Sequence, residues 1–315
     1  MKHVLLTDAC RFSQQQTDSI GRLGFKIFIC SDNAQRIQEA FLCSQAVVCN
    51  RLLLAQDIDN FPDLQFIQLT CSGLDHVPVE KIRHRGIVLC NARGVYSIPI
   101  AEWVLLKILE LYKNSRYFHE AQRSAKWIKN RELLELYGKT AGIIGTGSIG
   151  CEIAKRLKAF GCKVIGLNRS GSGNKLFDSV EKSRSLNSFL TQCDIVVLAV
   201  PLTPQTENML NRETLCCMKE DAVLVNVSRG GVVKEADLLA HLDRGCLKGV
   251  ALDVFEREPL PEKSPLWYHP RVLVTPHNAF ISENVTGRLF ALVLSNLQAF
   301  REGKPLQNRV DVWKR

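Results

Sequence analysis

The chain has 315 residues, 46% apolar and 23% charged, a profile that excludes disordered and fibrous classes. That length accommodates two domains, and the net charge of +9 is spread along the chain, which points to small anionic ligands rather than nucleic acid. No apolar stretch reaches membrane-spanning length and no leader pattern opens the chain, so a cytoplasmic protein without a membrane partner is expected.

Five apolar runs punctuate the first hundred residues: HVLLTD (3–8), KIFIC (26–30), AVVCN (46–50), LQFIQLT (64–70) and GIVLCN (86–91). Amphipathic stretches such as 33–43 separate them. Strands alternating with helices predict a parallel sheet covered on both faces. Residues 99–137 are apolar-periodic, with IAEWVLLKILEL (100–111) read as a long helix. A second strand series follows: TAGIIG, KVIGLN, DIVVLAV, AVLVNVS, GVALDV and VLVTPH. Residues 282–303 read as a last amphipathic helix closed by Gly303 and expected to return to the first domain. The expected division is therefore 1–98 and 279–315 for one doubly wound α/β domain, with 99–278 inserted as another. The 12 cysteines are scattered without metal-ligand spacing, so they are read as free thiols in a reducing compartment, and no metal is expected.

GTGSIG (145–150) lies between a strand and a helix of the second series. Gly145 suits a tight turn, Gly147 a close approach to a pyrophosphate and Gly150 close helix packing, with Ser148 and Ile149 at the helix start. This makes 99–278 a candidate Rossmann dinucleotide-binding domain. The next strand usually ends in an acid that holds the ribose hydroxyls of NAD. Here Asn168, Arg169 and Ser170 stand instead. A missing acid, a cation and a hydroxyl suit the extra phosphate of NADP, with NAD use also allowed.

Three later strand ends present Arg229, then Asp253, Glu256 and Glu258, then His277. Ligands of open parallel sheets bind beyond such ends. An Arg can polarise a carbonyl and bind a carboxylate, and a His paired with a carboxylate can give the carbonyl its proton. The set suits hydride transfer to a 2-oxo acid.

With GKTAGIIGTGSIG, VPLTPQTENMLN, LVNVSRGGVV, GVALDVFEREPLP and VLVTPHNA, the chain resembles the D-isomer-specific 2-hydroxyacid dehydrogenases almost end to end. The resemblance implies a flavodoxin-like substrate domain around the Rossmann domain. It implies that Arg229 binds substrate, that Glu258 is the carboxylate partner of His277, and that His277 is the acid/base. Ser72 and Gly73 are then expected to hold the substrate carboxylate. Val227, Ser228 and Asp253 are expected along the nicotinamide, and Pro201 on the adenosine-ribose side. The implied partners are a small 2-oxo or 2-hydroxy acid and, through the helix after Pro99, a second copy in a homodimer. A non-catalytic, cofactor-sensing corepressor on the same fold is the alternative.

Overall fold

The computed structural model describes residues 1–75 and 77–311. The chain divides into two compact units, one formed by Met1–Tyr96 with the stretch from Ser282 onward, the other by Ser97–Ile281.

The first unit holds five parallel strands: β1 (Lys2–Thr7), β2 (Phe25–Cys30), β3 (Ala46–Cys49), β4 (Phe66–Leu69) and β5 (Val88–Cys90). Their order is β2-β1-β3-β4-β5, the flavodoxin-like winding. The runs are apolar throughout because both faces are covered, and the two-residue period of a strand sorts them. Val4, Leu6, Val48 and Phe66 face one way, onto Leu289, Leu292, Val293 and Leu297 of helix Val285–Glu302. Leu5, Val47, Ile67 and Leu89 face the other, onto Leu52, Ile58, Phe61 and Ile82. A buried amide pair ties that last helix to β4: Asn296 Nδ2 donates to Gln68 Oε1 at 2.7 Å. Gly303 ends the helix in the left-handed conformation, at φ 66°.

Helix formation within 33–43 is confined to Glu39–Leu42. The preceding turn is claimed by Asp32, whose buried carboxylate accepts from Thr7 Oγ1 and from the backbone N–H groups of Asn50 and Arg51. With its carboxylate committed to these distant groups, Asp32 caps no helix at the start of 33–43.

The second unit has seven parallel strands, one more than expected: β6 (Thr140–Ile144), β7 (Lys163–Asn168), β8 (Ser179–Lys182), β9 (Ile195–Leu198), β10 (Val223–Asn226), β11 (Gly249–Leu252) and β12 (Val272–Val274). The order β12-β11-β10-β9-β6-β7-β8 places the winding reversal between β6 and β9. The unexpected strand, β8, is a four-residue edge strand of sequence SVEK whose residues are half-buried or exposed, so it lacks the apolar signature of its neighbours. The helix expected from 100 is observed as Ser97–Tyr112. It stops at Asn114, φ 49°, before a second helix, Ser115–Arg123. Among the described residues no helix is long and apolar enough to cross a membrane.

Candidate active site

The glycine turn sits where the winding reverses. Gly145 has φ +106°, and a Cβ there would lie 2.3 Å from the Ala199 carbonyl oxygen at the end of β9. A Cβ on Gly150 would lie 2.0 Å from the Gly145 carbonyl oxygen, so this glycine lets helix Ser148–Ala159 start directly above the turn. Gly147 differs from both. It caps that helix at φ −77°, and nothing in the protein approaches the place of its missing Cβ within 4 Å. The protein's own packing requires two of the three glycines, and the third borders open space at a helix N-terminus.

Asn168, at the end of β7, uses its side chain to build the following loop. Nδ2 donates to Thr146 Oγ1 at 2.8 Å and to the Ser172 carbonyl at 3.1 Å. Oδ1 accepts from Gly171 N at 2.6 Å and from Ser170 Oγ at 3.2 Å. The loop is thus tied to the glycine turn, and Arg169 and Ser170 are presented to solvent on a fixed frame. Pro201 lies exposed just beyond β9, and its carbonyl accepts from Thr206 Oγ1 at 2.7 Å.

On the other side of the sheet, polar side chains hold the loops beyond β10, β11 and β12. Asn226, fully within the core, accepts from the backbone N–H and the hydroxyl of Ser228 and donates to the Arg229 carbonyl. That bends the chain after β10, burying Val227 and Ser228 and leaving Arg229 half-buried, with Nη1 donating to the Ser228 carbonyl. Asp253 is 2% exposed. Its carboxylate accepts from Thr275 Oγ1, Asn278 N and Ala279 N at 2.5, 2.8 and 2.9 Å. It therefore clamps the turn that carries His277.

His277 has a left-handed backbone, φ 51°, which a residue with a Cβ adopts only where its surroundings enforce it. Its Nδ1 lies 2.8 Å from Glu258 Oε2, while Glu258 Oε1 accepts from Phe255 N at 3.1 Å. Phe280 meets the ring edge-on at 6.0 Å. With Nδ1 engaged, Nε2 is the nitrogen that remains for a ligand, on a side chain 39% exposed. Glu256, two residues before Glu258, turns elsewhere and bonds Glu235 N.

The second unit thus brings Glu258 to His277, Asp253 beneath the His277 turn, and Asn168 to the glycine turn. Ser72 and Gly73 belong to the first unit, in the turn after β4. There Ser72 Oγ donates to the Ala92 carbonyl, and the Ser72 carbonyl accepts from Asn91 Nδ2. Asn226, Thr146 and Thr275 were not singled out in the sequence. A lone polar residue inside the apolar run VLVNVS was the available signal for Asn226. No group of residues fit to hold a metal occurs among the described residues. Burial pushes the thiols of Cys10 and Cys193 up to about 12, which leaves them unreactive apolar side chains.

A family model described as "D-isomer specific 2-hydroxyacid dehydrogenase, NAD binding domain" matches residues 105–279. A glyoxylate reductase of Korarchaeum cryptofilum is 33% identical over 272 residues, covering 82% of this chain and 79% of that one. A glycerate dehydrogenase of Methylorubrum extorquens is 32% identical over 287 residues, covering 88% of each. Among solved structures, an NADPH-dependent glyoxylate/hydroxypyruvate reductase from Sinorhizobium meliloti, in complex with NADP and sulfate, superposes with a TM-score of 0.82 at 28% identity over 99% of each chain.

Proposed function

The chain belongs to the D-isomer specific 2-hydroxyacid dehydrogenase family, nicotinamide-dependent oxidoreductases of CH–OH donors, and from that premise we propose that it is an NADPH-preferring reductase of a small 2-oxo acid, of the size of glyoxylate or hydroxypyruvate. The observation that carries this reading is the Glu258–His277 pair at 2.8 Å, with the opposite ring nitrogen left for substrate.

A nicotinamide held at the glycine turn would supply the hydride. His277 holds the proton that the carbonyl oxygen takes up, delivered from Nε2. Glu258 on Nδ1 fixes the ring orientation and leaves Nε2 to face the carbonyl oxygen. The Arg229 guanidinium pairs with the substrate carboxylate and draws electron density from the carbonyl. Asp253 and Asn226 act behind them, each holding a loop whose side chain reacts or binds.

The glycine turn fits a dinucleotide. Backbone N–H groups at the start of helix Ser148–Ala159 suit a pyrophosphate, and Gly147 leaves the approach open. The end of β7 fits NADP better than NAD. No carboxylate stands there to bind free ribose hydroxyls or repel a 2′-phosphate, and Arg169 and Ser170 offer a charged and a neutral donor on a loop already ordered by Asn168.

The test is initial-rate kinetics with NADPH and NADH against glyoxylate, hydroxypyruvate and pyruvate. The reading expects turnover with at least one acid and a higher kcat/KM for NADPH. Replacing Arg169 by Ala should reduce that preference by about 10–100-fold, the worth of one charge-assisted hydrogen bond. Tight cofactor binding without turnover of any acid would favour a cofactor sensor instead, and an unaided preference for NADH would remove the assignment to Arg169.

A further inference from the structure

Two glutamates outside the reacting set grip each other's backbone. Glu235 N donates to Glu256 Oε1 at 2.8 Å, and Glu256 N donates to Glu235 Oε1 at 2.6 Å. Glu235 opens helix Glu235–Asp243, whose first N–H groups have no partner within the helix. A carboxylate from a distant loop satisfies one of them, at the end of the helix where negative charge is favoured. The same two segments touch once more. A Cβ on Gly230 would fall 1.8 Å from the Phe255 carbonyl carbon and 2.3 Å from Glu256 N, so here backbone lies directly on backbone.

The segments in question carry the site. Arg229 immediately precedes Gly230. Phe255 N holds Glu258 Oε1, and Glu258 Oε2 holds His277. One contact alone, at Gly230, would let the loop of Phe255 to Glu258 pivot about it. Two contacts remove the pivot. The carboxylates meet at a cost: burial raises the Glu235 carboxyl above its ordinary range, Glu256 N–H opposes that, and the Glu256 charge adds to it.

We propose that Glu235 and Glu256 form a reciprocal clasp that positions the Glu258–His277 pair relative to Arg229. This rests on the catalytic reading above, and the glutamates are positioning residues that touch no reactant. A carboxylate charge is not what the clasp needs. It needs an acceptor oxygen at each end, which Gln retains and Ala lacks.

The experiment compares Glu256→Ala, Glu235→Ala, Glu256→Gln and Glu235→Gln with the parent. Each Ala variant should lose about 10–100-fold in kcat, the scale of a misplaced reacting group, with the dissociation constant of NADPH unchanged. Both Gln variants should keep kcat within about 3-fold, because the acceptor survives. A second readout needs no turnover. In protein labelled with 15N-histidine, the Nδ1 proton of His277, identified by its loss in His277→Ala, should be protected in the parent and Gln variants. In the Ala variants it should exchange rapidly with solvent. Ala variants with parental kcat and a protected Nδ1 proton overturn the clasp, as do Gln variants as impaired as the Ala ones. If His277→Ala itself keeps kcat, the catalytic reading falls, and the proton-exchange comparison still decides the clasp. Should one Ala variant fail to fold, the other decides, because removing either acceptor opens one end of the clasp.

Discussion

The two sides of the seven-stranded sheet solve opposite problems. On the side of β6, β7 and β8 the site is made by leaving atoms out: Gly145 and Gly150 allow the turn and helix to touch, and Gly147 leaves space that no protein atom fills. On the side of β10, β11 and β12 it is made by adding polar atoms: Asn226 and Asp253 in the interior and Glu256 and Glu258 nearer the surface each accept from backbone N–H groups of the loops around the candidate residues Arg229 and His277. In the proposed reading one side binds through shape, which suits a cofactor whose phosphates need backbone N–H groups, and the other orients two or three side chains, which suits proton transfer. The lesson is that added atoms should damage the first side and lost atoms the second.

The largest effect is expected at His277. His277→Ala should lower kcat by about 10²–10⁴-fold, the range for a lost general acid, without moving Tm or the dissociation constant of NADPH. Steady-state kinetics with a thermal melt checks this, and a variant that keeps near-parental kcat would strike His277 from the mechanism. On the shape side, Gly150→Ala forces a methyl group onto the Gly145 carbonyl. It should cost about 1–3 kcal/mol of stability by overpacking and weaken the cofactor with it. Gly147→Ala sharpens the comparison, because no protein atom opposes it. Tm should hold while the dissociation constant of NADPH rises by about 10-fold or more, since a methyl group then stands where backbone and pyrophosphate must meet. Calorimetry on the two glycine variants checks both. If Gly147→Ala binds cofactor as the parent does, the pyrophosphate lies elsewhere.

Asp253→Asn keeps the shape and turns one acceptor into a donor facing backbone N–H groups. It should destabilise by about 1–3 kcal/mol and lower kcat through the His277 turn. Urea unfolding beside kinetics separates the two losses.

The smallest effect concerns pH, and its sign differs between the sides. Asp178 accepts from Lys158 Nζ and from Val164 N, and these bonds hold its carboxyl below the ordinary carboxylate range. A depressed carboxyl stabilises the fold above its unfolded value, and that stability is lost as pH falls through the folded value. Asp178→Asn should therefore destabilise at neutral pH and flatten the acid end of the stability curve, weakly, because the Lys158 pair is open to solvent. Glu235 is raised by burial, so its contribution is full below the ordinary range and lost as pH rises through the folded value. Glu235→Gln should thus be at least as stable as the parent at neutral pH. Melts between acid and neutral pH that move both variants the same way would break the contrast.

Much of this was legible in the residues. The apolar runs located eleven of the twelve strands, because parallel strands covered on both faces are apolar throughout. Edge strand β8 escaped because both its faces are half-buried or exposed, so SVEK forms no apolar run. The segment 33–43 kept only its last turn of helix, since Asp32 bonds distant backbone that no local pattern reveals. Among the candidate residues, Asn168 was visible as a missing acid, yet its amide proves to be the brace of the loop that presents Arg169 and Ser170. Asp253 was visible as a strand-end acid, but its burial beneath the His277 turn was not.

What the sequence determined by itself is what depends on near neighbours: the strand and helix periods, the glycine spacing of the turn and the types of side chain offered at the strand ends. The resemblance already implied Glu258 as the partner of His277, and the fold makes that contact while sending Glu256, two residues away with the same chemistry, to Glu235, a choice of partner that no pattern in the chain announced. Such a choice rests on groups brought together from β10, β11 and β12, far apart in the chain. Their distances are set by how strands pack in the sheet, so tertiary structure alone decided them.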